Sequence, residues 1–250
     1  MRILFIVFFG VIFASGCATT KQQPINYSET TLHKDAKIGI AVAPLPDVQI
    51  TYPGASCLLC LAAAAAANSS LSKHVDSLSA DDLKEIPLLI KAKVEELGYD
   101  AKIIEAPLEL SELPKYSGKL PNTAPRDFSS FKQKYDVDYL IGVELNYVGV
   151  QRNYSSYVPV SDPQALISGL QFVVRVEDNT FTWFKPLDFR KGAEGEWKQK
   201  PDFPNLTNAY YQVVESTLDE VVNTKRGKIN EGEVIDPETG EIAQVDLSKQ

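Results

Sequence analysis

Histidine and cysteine, two of the residue types from which catalytic and metal centres are assembled, are scarce in this 250-residue chain, with two and three copies. Its two histidines, His33 and His74, lie far apart in no ligand-like spacing, which argues against a histidine zinc site and leaves each as an expected surface residue. There is no Gly-x-Ser-x-Gly elbow, no Ser-x-x-Lys, no His-Glu-x-x-His and no glycine-rich phosphate loop. The expectation is a protein that is not an enzyme, with no catalytic residues, no metal and no dissociable cofactor. Runs of basic residues are missing as well: 25 Lys+Arg stand against 33 Asp+Glu, a net charge of −8, which argues against nucleic acid as a partner. Long hydrophobic runs are absent too. The most apolar stretch, from Ile3 to Phe13, falls short of the ~20 residues needed to cross a hydrocarbon core.

What that stretch does match is a cleavable leader: Met1-Arg2 supplies a short basic start and Ile3 to Phe13 an apolar middle. It ends in Ala14-Ser15-Gly16-Cys17, which resembles the lipobox of bacterial lipoproteins, although that family prefers Leu where this chain has Ala14. The resemblance implies a signal peptide over 1–16, removed in the mature protein, and covalent lipid on Cys17. Several acyl chains at ~0.8 kcal/mol per buried methylene would make such an attachment effectively permanent. Ala18 follows the cysteine. In the lipoproteins it resembles, Asp at that place favours retention in the inner membrane, so the expected location is the periplasmic face of the outer membrane. Residues 17–35 are polar and lack an apolar period, as expected of a lipidated flexible tether.

A single folded domain is expected over 36–223. Lys37 to Ala43 is a nearly continuous apolar run closed by Pro44 and Pro46, the pattern of a strand buried on both faces. Next comes Ser56-Cys57-Leu58-Leu59-Cys60-Leu61 followed by alanines to Ala67, which predicts a helix over about 56–75 capped by Ser56. The Cys-x-x-Cys spacing admits a redox reading, but leucine and alanine neighbours favour buried thiols or a structural bridge. The helix itself is open to two readings. It packs tightly on the domain, or it is a surface element in which Cys57, Leu58, Leu59, Cys60 and Leu61 contact a partner or a membrane interface.

A second helix is expected from Ser79, with Leu83, Ile86, Ile90, Val94 and Leu97 at helical spacing and Gly98 as the stop. Pro87 either kinks it or moves its start to near Glu85. Tyr99 to Glu105 reads as a strand parallel to the first, 106–125 as a long loop, Arg126 to Tyr135 as a short helix, and Asp136 to Val150 as the strongest strand of the chain. After a Tyr/Ser/Pro turn region from Tyr154 to Pro163, Leu170, Phe172, Val174 and Val176 alternate with Gln171, Arg175 and Glu177, predicting an antiparallel strand with one wet face. Thr180 to Lys185 returns as its hairpin partner, and a helix over Asn205 to Val222 closes the domain. The acidic tail, 224–250, reads as disordered or as a small hairpin around Asp236-Pro-Glu-Thr-Gly240. The fold class is α/β (α+β), a mixed sheet of about five strands with helices packed on it.

This order resembles the periplasmic α/β lipoprotein domains that include the curli-secretion channel lipoprotein, the penicillin-binding-protein activator lipoprotein and the N-terminal domain of the Tol translocation protein. Three places carry the resemblance: the Ile38–Val42 strand after a lipid leash, the segment Tyr135 to Glu144, and the block Leu170 to Trp183 with Gly195-Glu-Trp197 and the last helix. It implies a non-enzymatic accessory or scaffold anchored to the membrane through lipid, with an envelope protein partner and scope for homo-oligomers. Its alternatives are a subunit of an outer-membrane export assembly and, less well supported, a periplasmic enzyme. Tyr147, Tyr154 and Tyr157 are the candidate recognition residues, because tyrosine joins apolar area to a polar tip; sheet packing would also explain Tyr147. Asp136 and Asp138 are expected to cap or turn rather than to work as acid and base.

Overall fold

The computed structural model describes residues 22–28 and 31–223, together with the backbone of 233–235 and 242–244. Cys17, the leader and most of the acidic tail lie outside the described residues. The central strand β4 (Tyr139–Gln151) has neighbours on both sides. On one side it pairs in parallel with β1 (Lys37–Val42), which pairs in parallel with β3 (Asp100–Ile103). On the other it pairs antiparallel with β7 (Gln164–Arg175), which pairs antiparallel with β8 (Thr180–Gly192). A short strand, β2 (Val48–Thr51), runs parallel to the last residues of β4, making six strands where about five were expected. Four residues flanked by prolines give too little periodicity to reveal it. Gly149 permits its close approach: with φ at 146°, a Cβ there would fall 1.9 Å from the Gln49 carbonyl oxygen.

Both faces of the sheet are covered. Ile38, Ile40, Tyr139, Ile141 and Val143 pack under α3 (Ile86–Glu96) and α5 (Pro204–Val222), against Ile86, Ile90, Tyr210, Val213 and Val214. The opposite face meets Leu108, Ala124 and Phe128 from the long loop and the turn before α4 (Ser129–Tyr135), with Phe172 and Val174 of β7. The segment 106–125 is thus a cover for the core. The wet face expected over Gln171, Arg175 and Glu177 is buried at its first residue alone: Gln171, with Val173, lies under α5 and its amide donates to the Val221 carbonyl at 3.0 Å, while Arg175 is half-buried and Glu177 exposed. Alternation survives because each face meets a different layer, and a single buried amide with a backbone partner imitates solvent exposure in the sequence.

Helix α3 starts at Ile86 with Pro87 in its first turn, preceded by a 3₁₀ turn over Asp81–Glu85, so the proline moves the start and does not kink the helix. The helix expected over 56–75 is broken at Asn68 into α1 (Leu58–Ala67) and α2 (Ser69–Val75), and Cys57, not Ser56, caps it. The tether also needs correction. Ile25 exchanges both backbone hydrogen bonds with Phe184 of β8, at 2.9 and 3.2 Å, and Thr31 and Leu32 are buried. A residue with an apolar side chain and a free sheet edge beside it docks despite polar neighbours. At the tail, the backbones of β9 (Glu233–Ile235) and β10 (Ile242–Gln244) pair antiparallel, the hairpin alternative.

Candidate contact surface

The ends of β2, β4, β7 and β8 coincide, since Thr51 pairs Gln151, Gln151 pairs Gln164, and Gln164 pairs Gly192. Everything after these ends builds one tip of the molecule. The loop from Tyr52 to Ser56 crosses to a two-strand hairpin, β5 (Tyr154–Ser155) and β6 (Val158–Pro159), with the Tyr154 amide donating to Pro53 O at 2.7 Å and the Ser156 amide to Gly54 O at 3.0 Å. Gly54 has φ at 86°, and any Cβ there would collide with the Tyr154 carbonyl at 1.8 Å.

From this loop α1 rises. Cys57 and Cys60 are joined as a disulfide, and Cys57 Sγ accepts the Cys60 amide at 2.9 Å. The cysteines are thus bridged and not buried thiols: Cys57 is exposed and its Sγ caps the helix, while Cys60 is buried. Alanine-rich sequence and this cap stabilise a helix that contributes little to the core, because only Cys60 and Ala64 are buried. Leu58 is 89% exposed, Leu59 73% and Leu61 46%. On the adjoining hairpin Tyr157, Val158 and Val160 are each more than half exposed, and the Tyr157 hydroxyl lies 3.6 Å from Cys57 Sγ. Single exposed leucines are ordinary. Six large apolar side chains on two neighbouring elements form a patch of the kind that marks an interaction surface.

Asn68 ties the tip to the sheet. Its Nδ2 donates to Ala64 O at 2.7 Å and to the Tyr154 hydroxyl at 2.6 Å, while its Oδ1 accepts from Arg152 Nη1 at 2.7 Å. Tyr52 stands edge-on to Tyr154, ring centroids 5.7 Å apart; burial and then Tyr154 itself push the Tyr52 hydroxyl pKa upward. Arg152 also stacks on Trp197, 4.8 Å from the ring centre, and Lys198 Nζ sits 5.0 Å from the same ring. Together they line a cleft of about 550 Å³ in which Arg152, Lys198 and Lys200 face a single carboxylate, Asp202. Sequence reasoning missed this cationic corner, because Arg152 comes from the end of β4 and Trp197 from beyond β8. Trp197-Lys198-Gln199-Lys200 was its one local signal.

Of the residues singled out in the sequence, Leu58, Leu59 and Leu61 are brought together with Tyr157 at the tip. Tyr147 is engaged elsewhere: its hydroxyl lies 2.6 Å from Val150 O and 2.9 Å from Gln49 O and accepts from Thr51 Oγ1, pinning β2 to β4. Tyr154 is buried in the Asn68 network. Asp136 and Asp138 sit at the opposite end of the sheet. Asp136 caps α4 and pairs with Lys37 at 2.5 Å, whose hydrogen bond lowers the carboxyl pKa, and Asp138 accepts the Lys37 amide at 3.1 Å. Both join the start of β1 to the start of β4. His33 is exposed as expected, but His74 is half-buried, bonded to Thr207 Oγ1 at 2.7 Å. Among the described residues no group of His, Cys, Asp or Glu is placed to hold a metal ion, and no helix is long and apolar enough to cross a membrane.

No protein-family model matches the chain. No curated protein matches it in sequence. Several solved structures share its outline at a distance. A Xanthomonas campestris protein of family DUF330 is 9% identical, with 82% of this chain and 91% of that one covered and a TM-score of 0.38. The lipoprotein GNA1162 of Neisseria meningitidis is 10% identical, with 75% and 99% covered and a TM-score of 0.31. The PelC dodecamer of Paraburkholderia phytofirmans is 9% identical, with 81% and 93% covered and a TM-score of 0.29. These likenesses are distant and carry no argument about function. The chain is a mixed α/β domain with a remote structural resemblance to several bacterial proteins, one of them a lipoprotein.

Proposed function

We propose that this chain is a lipoprotein held at the periplasmic face of the outer membrane by lipid on Cys17, and that it acts by contact, without turnover, as an accessory or scaffold in an envelope process. Kinship with the curli-secretion, penicillin-binding-protein activator and Tol domains belongs to the same proposal. One observation carries it: α1 is apolar all round, yet its leucines face outward on a support stiffened by a disulfide and the Asn68 network. Exposed leucine in water is unfavourable by roughly 1.5–3 kcal/mol per side chain relative to burial, so covering such a patch is a source of binding energy. Further apolar side chains are exposed on the helical layer, at Leu88 and Leu89 of α3 and Tyr211 of α5.

Photo-crosslinking from position 88 or 211 in intact cells tests the accessory role. A discrete protein adduct that survives membrane extraction is the expected result; no protein adduct from either position would contradict a partner-binding function. A second reading, a subunit of an oligomeric export assembly, draws on the exposed alanines Ala62, Ala63, Ala65, Ala66 and Ala67, whose small side chains permit close helix approach. A ring-sized particle in detergent extracts would favour it, and a monomer would remove it.

A further inference from the structure

The bridge between Ile25 and Phe184 is antiparallel, so at Ile25 the chain, followed toward its N-terminus, heads for Gly192, the end of the sheet that carries α1. Eight residues separate Cys17 from Ile25, and eight separate Phe184 from Gly192. An extended chain advances about 3.3–3.6 Å per residue and a strand about 3.3 Å. The leash therefore has the length and the heading to bring Cys17 level with the α1 tip, about 26 Å along the sheet from the bridge. At that level the surface changes character. Leu58, Leu59, Leu61 and the Tyr157 hairpin form an apolar knob at the start of α1, and at the other end of that helix, against Ala67 and Asn68, Lys198 and Lys200 line a cleft with Arg152 and Trp197 in an otherwise acidic protein.

We infer that the α1 tip is seated in the bilayer that holds Cys17, with Leu58, Leu59 and Leu61 entering the headgroup–acyl boundary and the exposed Lys198 and Lys200 meeting lipid phosphates. This inference rests on the lipid-anchor reading for its orientation. The physical division of labour is the one that interfacial helices use: apolar side chains partition below the phosphates, cations stay level with them, and an indole and a phenol sit between. α1 is about 15 Å long, ten residues at ~1.5 Å, which suits lying in the interface and not crossing it. Seating the tip covers the patch without requiring a protein at that site and leaves Leu88, Leu89 and Tyr211 of the helical layer exposed for one.

The test uses the full mature chain carrying Cys17→Ser, which removes the acylation site, and flotation with vesicles of phosphatidylethanolamine and phosphatidylglycerol. The parent is expected to float with the vesicles, and L58D/L59D to lose binding by about tenfold per leucine. Both side chains are outside the core and acids suit a first helical turn, so thermal unfolding should be unchanged. L88D/L89D should float like the parent. K198E/K200E should weaken binding to these vesicles more than binding to pure phosphatidylcholine, whose phosphates are balanced by choline, and equal binding to both by the variant and the parent would overturn the lysine contact. A parent that stays at the bottom of the gradient, or an L58D/L59D variant that floats equally well, overturns the inference. So does a vesicle-free oligomer that L58D/L59D converts to monomer, since the patch would then belong to a second copy. A native Cys17 found without lipid defeats the anchor alone, because vesicle binding by the Cys17→Ser chain is measured without it.

Discussion

Asn68 shows how much one side chain decides. It ends α1, satisfies the buried Tyr154 hydroxyl and receives Arg152, three bonds from a position 2% exposed. Asn68→Ala strands two polar partners and should cost about 2–3 kcal/mol, measured as a shift in the urea unfolding midpoint. Nothing in the run Ala-Asn-Ser-Ser announces this, because the partners come from β4 and the hairpin beyond it. His74 is a second case. Burial lowers its pKa from the ordinary 6.5, with Asp202 opposing, so the folded protein prefers the neutral ring. The group's contribution to stability is therefore fully present above 6.5 and is lost as pH falls through the lowered folded value. Unfolding midpoints should be flat above neutrality and decline below 6.5, and His74→Gln should remove that part of the decline. The two cysteines, by contrast, were legible as a pair from their Cys-x-x-Cys spacing, and they are joined as a disulfide.

Among the elements, β1, β3, β4, β7 and β8 were read from the sequence, and the short strands β2, β5 and β6 were not. β4 announces itself by the β-branched and aromatic residues spread along its thirteen positions, and the β7–β8 hairpin by its alternation around Asp178-Asn179, though both of its strands run longer than Leu170 to Lys185. β2 was invisible because its pairing depends on Gly149, one hundred residues away. The helix expected over 56–75 was right in content but not in continuity, since alanine propensity is silent about a polar break. Within α1 the disulfide closes only a four-residue loop, Cys57 to Cys60. A loop so short removes little entropy from the unfolded chain, so C57S/C60S should lower stability by about 2 kcal/mol at most. Denaturation of the parent with and without reductant checks this. A much larger loss would mean that the bridge supports the core as well as α1.

At the scale of the whole molecule, a parallel half built from β3, β1 and β4 joins an antiparallel half of β4, β7 and β8, and helices cover one face while a loop and α4 cover the other. The order of elements and the parallel β1–β3 pair followed from the strand–helix–strand pattern. The contact surface followed only in part. Leucines next to alanines suggested a surface helix, but the cationic cleft and the hairpin beside it are products of tertiary structure. Both ends of the sheet carry ion pairs, Lys37–Asp136 at one and Lys191–Glu194 at the other, and the α1 end adds exposed Lys198 and Lys200 in the cleft against Ala67. That asymmetry has a purpose if the α1 end meets a membrane, and the membrane attachment rests on Cys17. Intact-mass and peptide mass spectrometry of the protein extracted from cell membranes is the most direct test. The account predicts a chain that begins at Cys17 and carries the mass of acyl chains on that residue; a chain that keeps Met1 to Gly16, or begins at Cys17 without lipid, would contradict it.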